Sequence, residues 1–459
     1  MSAARHTALP IAFAAALLFA SGHGHAVTIT VSSGDDSTSH TPCTLRNAIT
    51  SINYGNAVLY AGCRSASVGL FGNNDTVVFA ANLAGSTITL SQGAIANYAP
   101  LTIAGSGQTI DAANASGVLS TIAFFSLSNV TLANGNSTAR GGALYASQAF
   151  VSLNNVRVTS SHATSGGGIA IENGSAAFTN TVVVGNSGGN GAGLFVSAAS
   201  VTLTNSTVAD NTSTCANACG GGVAVVSGSE LTITASTLAR NTAISTAAGA
   251  AGALYANDSK VTLVNSTMAD NSATGPDAVA GAVLENQSTA STTRGAFLTN
   301  ATLASNTATS AGPNVTGGVL IGSAGTGFLA MANTILAGNS AFVGGVAAPA
   351  PDLLANGTTS ADHSLLGNAL FAGYSGDGNL FSDTPGLAPL GDYGGPTATM
   401  ALLGASPGID AGSNAAALNA ASQPLTADQR GHIRTVDGIV DIGAYEFPGD
   451  EIFGDHFGS

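Results

Sequence analysis

Two groups of side chains in this sequence have types and spacings that could do chemistry. The first is Asp428, Arg430, Arg434, Asp441 and Glu446, the densest run of charges in the chain. Two carboxylates beside an arginine are what acid–base catalysis at a glycosidic bond needs, one as proton donor and one as base or nucleophile. The same five residues would equally make an ion-pair and hydrogen-bond network that closes the last coil of a fold. Carboxylates perturbed for structure look no different in sequence from those perturbed for function. Closure is the expectation.

The second group, Asp210, Arg240 and Asp270, belongs to a repeat. VTLTNSTVADN (201–211) returns as VTLVNSTMADN (261–271) with two letters changed. Aligned on Asn205, the equivalent positions are Asn155, Asn180, Asn205, Ala235, Asn265, Asn300 and Asn333, at steps of 25, 25, 30, 30, 35 and 33 residues. A second asparagine follows six residues on, at Asn186, Asn211, Asn241, Asn271, Asn306 and Asn339. Glycine clusters come after it at 166–168, 220–222 and 317–318. Self-similarity at such a period is the mark of a solenoid.

Each unit has room for three short strands and three turns. In VTLTN, Val201 and Leu203 alternate with Thr202 and Thr204, the period of a strand with one buried face. Asparagine tolerates the left-handed backbone of a tight bend, so both asparagines of each unit are expected to turn the chain. Strips such as GGVAVV (221–226) and GALYAN (252–257) supply the third strand. Coils of this kind stacked roughly 4.8 Å apart make a parallel β-helix. Valine and leucine then fill the inside, and the asparagines form a hydrogen-bonded ladder along an edge. The acceptor patterns for glycosylation at Asn205, Asn265 and Asn300 come from the same bend chemistry, so a structural role is expected for them. Stacking would put Asp210 and Asp270 about 9.6 Å apart, near the range for an inverting glycosidase. Arg240 between them would lower both carboxylate pKa values and leave no proton donor at neutral pH. Ser305 and Gly338 hold the same position in the next units. An exposed charge ladder is expected there.

Composition agrees with an ordered, turn-dense β protein. Of 459 residues 60 are glycine, 45% are hydrophobic and only 7% charged, with a mean hydropathy of +0.33. A formal charge of -14 leaves little to neutralise phosphates, so no nucleic-acid partner is expected. Residues 1–26 read as a signal peptide: Arg5, the apolar run LPIAFAAALLFA, and small residues before a cleavage after Ala26. No later stretch is apolar over a spanning length, so no transmembrane helix is expected in the mature chain. Export permits oxidation, and local pairing of Cys43 with Cys63 and of Cys215 with Cys219 is expected. Zinc at Cys215 and Cys219 would lack the remaining ligands of a tetrahedral set.

A β-helix has open ends that must be covered. Thr41 and Pro42 look like an N-cap and first helical residue, and Leu45, Ala48, Ile49 and Ile52 share one helical face suited to lying over the first rung. TPCTLRNAI, apart from Thr44 and Asn47, resembles the CSLREA motif of exported bacterial β-helix proteins. The glycine clusters with hydrophobe-x-x-Asn, as at Val208 to Asn211, are similar to the repeats of polymorphic outer-membrane proteins. LAPLGDYGGPTATMALL, SPGIDAG (406–412), DQRGHIR (428–434) and DIGAYEF (441–447), with DHSLLGN (362–368) before them, resemble the choice-of-anchor Q domain. These resemblances imply an all-β, right-handed parallel β-helix on the surface of an exported protein, with a short N-terminal capping helix and an irregular C-terminal closing region. The expected organisation is a signal peptide (1–26), cap and first coils (27–120), repeats (121–349), choice-of-anchor Q-like closing region (350–447) and tail (448–459). The tail DEIFGDHFGS resembles Phe-rich endings on exported proteins of some Gram-negative bacteria.

Polysaccharide lyases and hydrolases also use β-helices, and they need carboxylates clustered across several rungs. The repeats contain few charges, and they show none of the paired-aspartate, His-Gly or Arg-x-Lys motifs of the polygalacturonase family and no calcium-type nonapeptide. No catalytic, cofactor-binding or metal-binding residue is therefore assigned. The expectation is a non-enzymatic, exported cell-surface or secreted protein, adhesin-like, presenting its turns to a glycan, a matrix or another cell. A lyase or glycoside hydrolase is the alternative. ISTAAGAAG (244–252) and ENQSTASTTRG (285–295) are the loops expected to carry binding.

Overall fold

A computed structural model describes residues 26–55, 61–63, 71–247, 249–322, 326–371 and 374–449. The expected signal peptide up to residue 25 and the tail from Asp450 lie outside the described residues.

One rung shows how the sequence builds the coil. Ser200–Thr204 is a strand whose Val201 and Leu203 point inward. Asn205 bends the chain at φ +50, and Thr207–Ala209 continues as a second strand of the same sheet. Asp210 turns the corner at φ +55 into Thr212–Cys215, and Val223–Val226 closes the coil on a third face. The next coil lies in parallel register, Val201 on Leu231 on Val261. Repetition gives sheets of 23, 9 and 11 strands, with four short strands between the last two. The fold is a right-handed parallel β-helix.

The inside is a set of aliphatic columns. Leu203, Ile233, Leu263 and Leu298 form one; Leu194, Val223, Leu254, Val283 and Val319 form another. All are buried, and each such side chain contributes about 1.5–3 kcal/mol of burial. At the turns, glycine is required by close approach: a Cβ on Gly167 would lie 2.0 Å from the Ser187 carbonyl oxygen. Among its described residues ISTAAGAAG is only partly exposed, at Ile244, Thr246 and Ala247. Ile244 and Ser245 end one strand, and Ala250–Ala251 pairs in register between Cys219–Gly220 and Val279–Ala280, where its small side chains are buried. Residues 288–290 of ENQSTASTTRG are exposed too.

The N-terminal helix covers the first rung, but it begins later than expected. It spans Leu45–Asn53, and its N-cap is Thr44, whose hydroxyl accepts from the Asn47 N–H at 3.2 Å. Thr41 and Pro42 precede the cap because the chain is still extended at Thr44, and the Cys43 carbonyl accepts from the Ser32 and Ser33 N–H groups. Leu45, Ala48, Ile49 and Ile52 face inward as the spacing requires. Cys43–Cys63 and Cys215–Cys219 are both disulfides.

Parallel rungs run to Leu380–Phe381. The chain then doubles back as an irregular strap along the outside of the large sheet, instead of only closing the last coil. Thr397 donates to the Ala235 carbonyl, Ala444 N–H donates to the Thr302 hydroxyl, and Gly443 N–H donates to the Asn333 carbonyl. Its apolar residues Leu402, Ile442 and Tyr445 pack on Ile335 and Leu365, which face outward from the last rungs. Among the described residues no helix is long and apolar enough to cross a membrane.

Candidate functional site

The two asparagine series do different work. The first series, with Ala235, holds positive φ at every rung from Asn155 to Asn333 and bends the strand without leaving its sheet. The second series does not turn the chain. That task falls to the residue before it: Ser160, Gly185, Asp210, Arg240, Asp270, Ser305 and Gly338 all have positive φ. One step past the corner the second asparagine points inward, so the ladder is internal and not along an edge. Asn186 Nδ2 donates to Asn211 Oδ1 at 3.0 Å, and the chain continues through Asn241, Asn271 and Asn306 to Asn339 at 2.8–2.9 Å per step. Asp352 ends it, accepting from Asn339 Nδ2 at 2.8 Å, and burial raises its pKa.

Asp210, Arg240 and Asp270 stack at the corner as the repeat implied, but unevenly. Arg240 binds Asp210 through two bonds of 2.8 and 3.0 Å, both residues being about half exposed. Asp270 receives no such bond. Partial burial raises its pKa, with the attraction of Arg240 opposing, so the expected lowering of both carboxylates does not hold.

The C-terminal cluster is brought together, inside the strap. Asp428 accepts from the backbone N–H groups of Arg430, His432 and Glu446 and from the Arg430 guanidinium, which lies 3.6 Å from the Tyr445 ring centre. Glu446 accepts from Val436 and Asp441 N–H, and Asp441 accepts from Asp410 and Phe447 N–H. Arg434 is fully buried and donates to the Asp441 and Gly443 carbonyls at 2.7 Å. Burial pushes Glu446 up to about 7 against the pull of Arg434, raises Asp441 and lowers Arg434. Every carboxylate oxygen here accepts from a backbone donor or arginine, although Glu446 and Asp441 also line small surface pockets.

Sequence reasoning did not pick out three further features. Glu172 accepts from Arg140 and from the Tyr145 hydroxyl on the outside of the third face. Glu285 lies in the inward column between Ala256 and Ile321, and burial pushes its pKa up to about 7. Its signal was an acid at the third position of VLEN, where GALYAN has Ala256. Third is an open groove of about 570 Å³ along the bend of the large sheet, lined by Asn129, Asn155, Asn180 and Arg157 over Val130 and Val156. Gly105–Gly107 walls one end. No carboxylate and no aromatic ring lines it. Among the described residues no group of acids, histidines and cysteines is placed to hold a metal ion.

No family model matches the chain. No curated protein sequence matches it either. Among solved structures, pectate lyase Pel9A is similar at 13% identity with a TM-score of 0.49, over 91% of this chain and 96% of that one.

Proposed function

We propose that this chain is a non-enzymatic exported protein, on the cell surface or secreted, whose β-helix is an adhesin-like binding module for a surface or matrix polymer. One observation carries the reading. The carboxylates that cluster are consumed inside the strap, while the open groove presents asparagine amides and a guanidinium with no acid or base among its lining residues. Such a groove can hold a chain but supplies no protein carboxylate to cleave it. Export rests on the signal-peptide pattern of residues 1–26 and on the resemblance to choice-of-anchor Q and CSLREA proteins.

Incubating mature protein with a panel of polysaccharides and matrix proteins tests this. Retention without new reducing ends or unsaturated products is expected. Product release that disappears on substituting groove residues would establish the lyase or hydrolase alternative. Fractionating cells of the native host should place the protein on the surface or in the medium, and a cytoplasmic pool alone would defeat the export reading.

A further inference from the structure

The molecule already contains a ligand for half of its own groove. On the strap-covered rungs the bend asparagines bind main-chain groups from three separate stretches of the strap. Asn265 Nδ2 donates to the Ala427 carbonyl at 2.6 Å, and Asn300 Nδ2 donates to the Asp441 carbonyl at 3.3 Å. Asn333 makes a reciprocal pair with Ser413, its amide donating to the carbonyl at 2.9 Å and its oxygen accepting from the N–H at 2.7 Å. The neighbouring row, Thr237, Thr267 and Thr302, meets the strap through hydroxyls: Thr267 donates to Gln429 Oε1 at 2.6 Å, and Thr302 accepts from Ala444 N–H. Side-chain amides pairing with a peptide backbone act as one more strand edge would.

The same two rows continue beyond the strap. Register carries the bend series back from Ala235 to Asn205, Asn180 and Asn155, and the threonine row back through Thr207 and Val182 to Arg157. Among the described residues no hydrogen bond joins the strap to them, and from Asn180 back they line the open groove. From the Gly105–Gly107 rung to Asn180 it spans three rung steps, roughly 14 Å, room for about four extended residues. Arg157 is exposed, forms no ion pair among the described residues, and is the one charge in the lining. Where the covered row offers neutral hydroxyls, the open row offers a guanidinium, whose best partner is a carboxylate. The lack of an aromatic ring in the lining removes the usual stacking platform for a sugar.

We infer that the open rungs bind an extended, acidic segment of a partner polypeptide, laid along the helix axis as Thr397–Thr399 of the strap lies over Ala235, Thr237 and Thr267, with Asn155 and Asn180 on its backbone and Arg157 on a carboxylate. This names the partner class within the binding-module reading and rests on it.

The probes are two fluorescein-labelled, end-blocked hexapeptides: the strap sequence Pro396–Ala401, and its T399D derivative. Fluorescence polarisation on the mature chain should show the acidic peptide binding about tenfold tighter than the neutral one, with the advantage shrinking as salt rises. Arg157→Gln should reduce the acidic peptide to the neutral level. Asn180→Ala should weaken both, and Ala235 already shows that alanine is accepted at this backbone position. Unchanged circular dichroism would confirm that both variants fold. Failure of either peptide to bind at millimolar concentration, or binding indifferent to both substitutions, overturns the inference. Retention of a glycan without peptide binding also overturns it while leaving the binding-module reading intact, whereas polysaccharide cleavage removes that reading itself.

Discussion

Asn241→Ala should be among the most damaging single polar truncations in the helix. The Asn241 side chain is fully buried at the middle of the internal ladder. Its Oδ1 accepts from Asn211 N at 3.2 Å and from Asn211 Nδ2 at 2.9 Å; its Nδ2 donates to the Val208 carbonyl and to Asn271 Oδ1, both at 2.9 Å. Asn211 Nδ2 keeps a second partner in the Val183 carbonyl, and Asn271 Oδ1 keeps the Asn241 N–H. The Asn211 N–H loses its acceptor in a region that water does not reach. An orphaned buried donor costs about 1–3 kcal/mol and each lost neutral hydrogen bond about 0.5–1.5, some of which relaxation recovers, so the expected loss is about 3 kcal/mol. Asn205→Ala is the control. It sits on the preceding rung in the bend series, is only partly buried, and takes a residue type that Ala235 already carries at φ +49. Its cost should stay below about 1 kcal/mol. Urea unfolding followed by circular dichroism reads both, provided the slopes agree. If the two variants lose stability equally within about 0.5 kcal/mol, the internal ladder is not what holds the corners.

Acidification gives a second prediction. Glu285 and Glu446 have folded pKa values raised by burial from 4.5 to about 7, so each folded carboxyl holds its proton where the unfolded one has lost it. Their contribution is complete below about pH 4.5 and is lost as pH rises through about 7. The melting temperature should therefore fall between pH 5 and 8, and Glu285→Gln combined with Glu446→Gln should flatten that slope; an unchanged slope contradicts it. Asp210→Asn with Asp270→Asn should cost about 0–1 kcal/mol, because the Arg240 pair is half exposed, and should leave ligand retention unaltered. A larger loss, or a change in retention or polysaccharide cleavage, would give the corner row a function. If the mature chain begins at Val27, its ammonium sits on fully buried Asp75, whose Oδ1 is 2.8 Å from Val27 N. Asp75→Ala should then destabilise protein sequenced as starting at Val27 by about 3 kcal/mol, and a loss under about 1 would refute the pair.

The coil was legible because a solenoid writes its contacts as repeated letters. Val201, Leu231 and Val261 stack where the aligned strips put them, and so do Leu45, Ala48, Ile49 and Ile52 on the capping helix. What the letters did not carry is rotation by a single residue. Asp210 turns and Asn211 points inward, yet asparagine is the better left-handed former of the two, so propensity chose the wrong one. Arginine at Arg240 adopts φ +52 because the rungs above and below dictate the corner, which is tertiary context overriding local preference. The five-residue charge cluster was visible, but its destination was not. Thr237, Thr267 and Thr302, which receive the strap, read as ordinary outward positions of short strands.

Outward positions are where this molecule differs from rung to rung. Inside, Leu203, Ile233, Leu263 and Leu298 could exchange places with little consequence, since each fills the same column against the same neighbours. Outside, the single row Arg157, Val182, Thr207, Thr237, Thr267, Thr302, Ile335, Leu365 passes from charged through hydroxyl to aliphatic. The strap covers it from Thr237 onward, with its apolar residues at the aliphatic end and Gln429 at the hydroxyls. A repeating solenoid holds its rungs mainly through nearest neighbours, so nothing in the interior requires the strap to stop where it does. It ends at Thr237, one rung short of Thr207; beyond Thr207 come Val182 and then Arg157, a cation whose best partner is a carboxylate. Past that boundary the bend amides lose the strap as a partner: Asn155 Nδ2 donates to Asn129 Oδ1 of the neighbouring rung at 2.8 Å, where Asn265 on the covered side donates to a strap carbonyl.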